Sequence, residues 1–80
     1  MNKYEDLLVG MAQGLVEDPS AVAVSVDPEN EEGIIVYHLT VAEDDKGRVI
    51  GKQGRIAKAI RTVMRAAANR SGERVAVEID

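Results

Sequence analysis

The sequence predicts an α+β domain in which helices cover one face of a three-stranded sheet. Three observations lead there. Two segments place apolar residues at helical spacing, and three others alternate strictly between apolar and small or polar residues. Each alternating segment has only one strongly apolar side, so only one face of the sheet needs covering. The elements run helix, strand, strand, short helix, Gly-x-x-Gly turn, long helix, strand, an αββααβ order.

Tyr4, Leu7, Leu8, Met11 and Leu15 form the apolar stripe of the first helix. Gly10 and Gly14 weaken it by about 1 kcal/mol each relative to alanine, so packing must hold it. Asp18-Pro19 ends it, because proline disfavours helical geometry in the residue before it. Ser20 to Asp27 alternates, with Val22, Val24 and Val26 on one side, and reads as a strand. Residues 28–33 form a polar turn. Ile34 to Ala42 is a second strand, with Ile35, Tyr37, Leu39 and Val41 toward the helices. Its one histidine, His38, has neither a second histidine nor a nucleophile in evident relation to it, which points to a structural residue. Glu43-Asp44-Asp45 precedes a short helix at Lys46–Ile50, and an aspartate there reads as its N-cap. Nothing nearby completes a metal or acid–base site from these acids. Arg55 to Arg70 is the long helix, with Ile56, Ile60, Val63, Met64 and Ala67 on one side and Arg55, Lys58, Arg61 and Arg65 on the other. Gly72 supplies a left-handed stop. Glu73 to Asp80 is the last strand, with Val75, Val77 and Ile79 inward.

Eighty residues predict one domain over 1–80. No cysteine and a single histidine argue against disulfides, thiolate chemistry and zinc, and no cofactor is expected. The start of the chain lacks the basic residues and apolar stretch of a signal peptide. No apolar run approaches the roughly 20 residues of a membrane span, so a soluble cytoplasmic protein without membrane contact is expected. The net charge of −4 is unevenly spread: residues 1–45 carry −10, residues 46–72 carry +8 with no acid at all, and residues 73–80 carry −2. A basic block in an acidic chain focuses attraction for a polyanion on one surface.

The centre of that block is Val49-Ile50-Gly51-Lys52-Gln53-Gly54-Arg55-Ile56. Glycines let a backbone approach a ligand closely. A following helix would aim its first N–H groups, and its positive partial charge, at the turn. A Rossmann fingerprint requires a third glycine and a preceding strand, both missing here. A P-loop fails too: Gly47 to Gly51 is one residue too short, and Gln53 stands where a hydroxyl would bind magnesium.

The run Lys46 to Ile60, with its Gly-x-x-Gly, flanking Val49-Ile50 and downstream Ile56 and Ile60, resembles the signature of the KH domain. In that family the loop between two helices clamps the backbone of about four single-stranded nucleotides. The element order is similar to the type II arrangement, whose sheet is mixed, and the resemblance is nearest to the small bacterial KhpA family. It implies a cytoplasmic RNA-binding protein, an RNA chaperone or post-transcriptional regulator, that acts with a KhpB-like partner and can dimerise. Carried onto this sequence, Gly51, Lys52, Gln53 and Gly54 form the phosphate loop. Arg55, Lys58 and Lys46 or Arg48 flank the RNA. Ile50, Ile56 and a residue of the Ile34–Ala42 strand line a groove for the bases. Phe and Trp are absent and both tyrosines lie elsewhere, so base-stacking platforms are not expected and binding should be weak. About three engaged phosphates give a salt slope near −2.

The alternative is a protein-interaction module of the same fold with little RNA binding of its own, suggested by the acidic first half. An enzyme is not expected, because no nucleophile, acid–base pair or metal set is evident.

Overall fold

In the computed structural model, residues 2–79 apart from Glu29 are described, with the side chains of Ile50, Lys52 and Gln53 also left out. Helix α1 spans Lys3–Leu15 and begins at a capping box. The Glu5 N–H donates to Asn2 Oδ1 at 2.8 Å, and the Asn2 N–H donates to Glu5 Oε1 at 3.3 Å. Together these satisfy donors that the first helical turn leaves unpaired. The apolar stripe foreseen in the sequence buries Tyr4 and Leu8, while Leu15 is exposed.

The first strand is shorter than its alternation suggests. Pro19–Ala21 forms a single 3₁₀ turn, and β1 covers only Ala23–Asp27. Proline fixes the φ that such a turn needs. The Val22 N–H is then used to close the turn on Pro19 O at 3.2 Å. Strand β2 is Ile34–Thr40 and pairs antiparallel with β1, Val24 opposite Leu39 and Val26 opposite Tyr37. Strand β3 is Arg74–Ile79 and pairs parallel with β2, Tyr37 opposite Val77. The sheet is therefore mixed, in the order β1-β2-β3.

Between β2 and β3 runs α2, Glu43–Asn69. The sequence suggests two helices here, and the structure shows why the run is nonetheless continuous and bent. Gly54 sits inside it at φ +69°. That torsion belongs to the left-handed region, which a right-handed helix cannot pass without a break in direction. A straight helix of this length would reach about 40 Å. The longest dimension of the molecule is 34 Å. So α2 is two helical segments that meet at Gly51–Gly54. At its far end, Gly72 adopts φ +73°. The Gly72 N–H then donates to Asn69 O at 3.1 Å and the Glu73 N–H to Ala68 O at 3.0 Å, the Schellman pattern that releases the chain into β3.

The helices cover one face of the sheet. Leu8, Tyr37, Leu39, Val49, Ile60 and Met64 are each under 2% exposed and meet in a single core. The predicted cap is not made: Ala42 precedes α2 and no side chain caps it. Asp45 is instead buried, and its two carboxylate oxygens accept the Glu17 N–H at 3.1 Å and the Asp18 N–H at 3.2 Å. An acid in the first turn of α2 thus ties down the chain leaving α1. Its own turn needs it less, because the Asp45 and Lys46 N–H groups already donate to Ala42 O.

Candidate nucleic-acid interface

Which residues of α2 can face a ligand follows from which are buried. Ala57, Ile60, Met64 and Ala68 point into the core. At 100° per residue, Lys58, Arg61 and Arg65 then fall on the flank that leads to β3, and Arg55 projects near the bend. All four are exposed. A Cβ placed on Gly51 or on Gly54 meets no atom within 4 Å, so both glycines open onto free space rather than the core. The bend therefore presents bare main chain beside Arg55 and Lys58. The Lys52 and Gln53 side chains, expected in the same turn, lie outside the described residues, as does that of Ile50.

The two upstream cations are occupied by acids. Lys46 Nζ lies 3.3 Å from Glu43 Oε2, and Arg48 Nη2 donates to Glu17 Oε1 at 2.7 Å. Pairs this exposed are worth about 0–1 kcal/mol, so a phosphate can displace them. Arg55 and Lys58 have no such pair among the described residues. Ile56 is half-buried against the core, and Val49 beside it is fully buried. Both hold the bend in place from beneath.

The sequence expects a residue of the Ile34–Ala42 strand in the groove, beside Ile50 and Ile56. That strand, β2, is the central one, hydrogen-bonded on both sides. A cleft beside α2 is lined by Arg61, Arg65, Val75, Ala76 and Val77, and holds about 170 Å³. Arg61 Nε donates to Val77 O at 3.1 Å, which fixes the guanidinium on the strand. As an edge strand, β3 keeps main-chain donors and acceptors directed outward. A helical crossover between parallel neighbours carries this information in principle, since it places the last strand next to the one before the helix.

His38, dismissed as catalytic from the sequence, makes a surface pair, with Nε2 2.8 Å from Asp27 Oδ2 across the β1–β2 ladder. Among the described residues no group of three or more metal-ligating side chains comes together. No helix among them is long and apolar enough to cross a membrane.

Comparison with known proteins agrees with this fold. The family model for the KH domain of KhpA/KhpB matches residues 5–79. The RNA-binding protein KhpA of Clostridium acetobutylicum is 53% identical over 75 residues, covering 94% of this chain and 97% of the relative. That of Listeria monocytogenes is 41% identical over 75 residues, covering 94% and 96%. A solved structure of Era in complex with MgGDPNP and nucleotides 1506–1542 of 16S ribosomal RNA superposes with a TM-score of 0.69 at 22% identity. It covers 95% of this chain but only 28% of the Era chain, and the likeness speaks for the fold alone. With its Gly-x-x-Gly bend between two helical segments over a mixed sheet, the chain belongs to the KhpA/KhpB family of KH domains.

Proposed function

We propose that the chain is a single-stranded RNA-binding protein that holds the sugar–phosphate backbone against the Gly51–Gly54 bend. The observation that carries this is the open space over both glycines, next to exposed Arg55 and Lys58. Phosphate oxygens accept hydrogen bonds from main-chain N–H groups where no Cβ intervenes, and the helix start adds favourable potential. From the bend the strand runs along Lys58, Arg61 and Arg65, with bases directed to the cleft at β3. Lys52 and Gln53 complete the turn, and Lys46 and Arg48 join after releasing their surface partners. Relatives named as RNA-binding proteins at 41–53% identity support the same ligand.

One domain with a handful of phosphate contacts binds weakly, so tight binding draws on a second domain. The family name points to a KhpB-type partner, and a homodimer would serve equally. The role is that of a cytoplasmic RNA chaperone or post-transcriptional regulator rather than an enzyme. The test replaces Lys52 and Gln53 with aspartate. Retention of single-stranded RNA should be lost while the circular dichroism spectrum is unchanged. Undiminished RNA binding by this variant would remove the bend as the site.

A further inference from the structure

A second cleft lies at the other end of α2. It holds about 440 Å³ and is lined by Lys3, Tyr4 and Leu7 of α1 and by Ala67, Arg70 and Ser71 at the close of α2. Its charge is unexpected. The chain has 14 acids against 10 basic residues, yet this lining contains two cations and no carboxylate; the carboxylate in the neighbouring cleft, which shares Lys3, Tyr4 and Ser71, is that of Glu73. Neither cation has an ion-pair partner among the described residues. Lys3 Nζ instead lies 5.3 Å from the centroid of the Tyr4 ring. The Tyr4 hydroxyl donates to Ser71 Oγ at 2.7 Å, which leaves the Ser71 proton to be offered to another acceptor. Tyr4, Leu7 and Ala67 give the cleft an apolar floor.

This cleft cannot be a continuation of the RNA path. Arg61 and Arg70 are nine residues apart on one helix and so project about 180° from each other. Gly54 lies about 24 Å back along the axis. A strand that follows Lys58, Arg61 and Arg65 would have to cross over α2 to arrive. The only aromatic ring here, that of Tyr4, is buried and offers no face for a base to stack on.

We propose that the cleft docks an acidic segment of a partner protein, its carboxylates on Lys3 and Arg70, its aliphatic side chains on Leu7 and Ala67, and one acceptor on the Ser71 hydroxyl. Complementary charge selects such a segment, and the same two cations disfavour a basic one. The site is separate from the RNA-binding bend, so partner and RNA can be held together.

The test uses a short fluorescein-labelled peptide of leucine and glutamate in a helical repeat, followed by fluorescence anisotropy. The full chain should bind it, and Lys3→Glu/Arg70→Glu should weaken binding at least about tenfold. Lys3→Gln/Arg70→Gln, which removes charge without reversing it, should fall between the two. Both variants should keep the wild-type thermal midpoint and the wild-type affinity for single-stranded RNA. Equal peptide binding by all three proteins would overturn the proposal. So would displacement of the peptide by RNA, which would make the cleft part of the RNA surface. Self-association abolished by the same charge reversal would assign it to a second copy and overturn it as well.

Discussion

Replacing Gly51 with alanine should make the protein more stable and a poorer RNA binder, and the two effects come from the same atom. Gly51 lies within α2 without a left-handed torsion, and an added Cβ there meets nothing within 4 Å. In such a helical position alanine is favoured over glycine by about 0.5–1 kcal/mol, because the unfolded chain loses freedom. For a domain of this size that corresponds to a rise in melting temperature of about 2–8 °C. The open space that makes the methyl harmless to the fold is the space the phosphate would occupy. Gly51→Ala should therefore lower affinity for single-stranded RNA about tenfold, equivalent to about 1.4 kcal/mol. Gly47→Ala is the matched control. Gly47 is also in α2 with open space around it, but one helical turn before the bend. It should gain the same stability with unchanged RNA affinity. Gly54→Ala should go the other way in stability, losing about 1–2 kcal/mol, because φ +69° is costly for any residue with a Cβ. Urea denaturation and anisotropy with a labelled oligonucleotide read both quantities. If Gly51→Ala gains stability yet binds RNA as the wild type does, the main chain at the bend is not where RNA lies.

Other consequences are independent of the bend. Asp45→Ala leaves the Glu17 and Asp18 N–H groups without their carboxylate acceptor and should cost about 2 kcal/mol by urea denaturation. RNA affinity of the folded fraction should be unaffected. Burial pushes the Tyr37 phenol above its ordinary value of 10.0, with Glu73 and Glu5 adding to the effect against the hydrogen bond from Asn2. The neutral phenol is the form that folding prefers. This contribution is complete below pH 10 and is lost as pH rises through the higher folded value; Tyr37→Phe should flatten that alkaline decline. The logarithm of RNA affinity should fall with the logarithm of salt at a slope of about −2, and Lys58→Gln should make it shallower by about 0.7.

Much of this molecule is legible in its sequence, and the exceptions share a cause. Alternation located β2 and β3 within two residues at either end, because each has one buried side. Helical spacing found α1 and, with Ile60 and Met64, the centre of the buried face of α2; Val63, expected on that face, is instead exposed, and Ala57 and Ala68 are buried in its place. The charge imbalance and the two glycines located the bend. Local pattern fails where the decisive partner is distant in sequence. Asp45 resembles an N-cap because its neighbours suggest one, but its acceptor groups are claimed by Glu17 and Asp18, nearly thirty residues earlier. Ser20–Val22 alternates like strand, yet Pro19 opens a 3₁₀ turn over Pro19–Ala21 that the Val22 N–H closes. Alternation also says which side of a strand is buried, not which strand stands at the edge, so the edge position of β3 was not legible from it. Nor does any motif mark the Lys3–Arg70 cleft, since its two cations meet only when the ends of α1 and α2 are brought together.

The most direct trial of the account is an amide chemical-shift titration of the labelled protein with a short single-stranded RNA. The largest movements should fall on the N–H groups of residues 51–55, with smaller ones along Lys58, Arg61 and the edge of β3. Movements confined to α1 or to the outer face of the sheet, with residues 51–55 at rest, would contradict it.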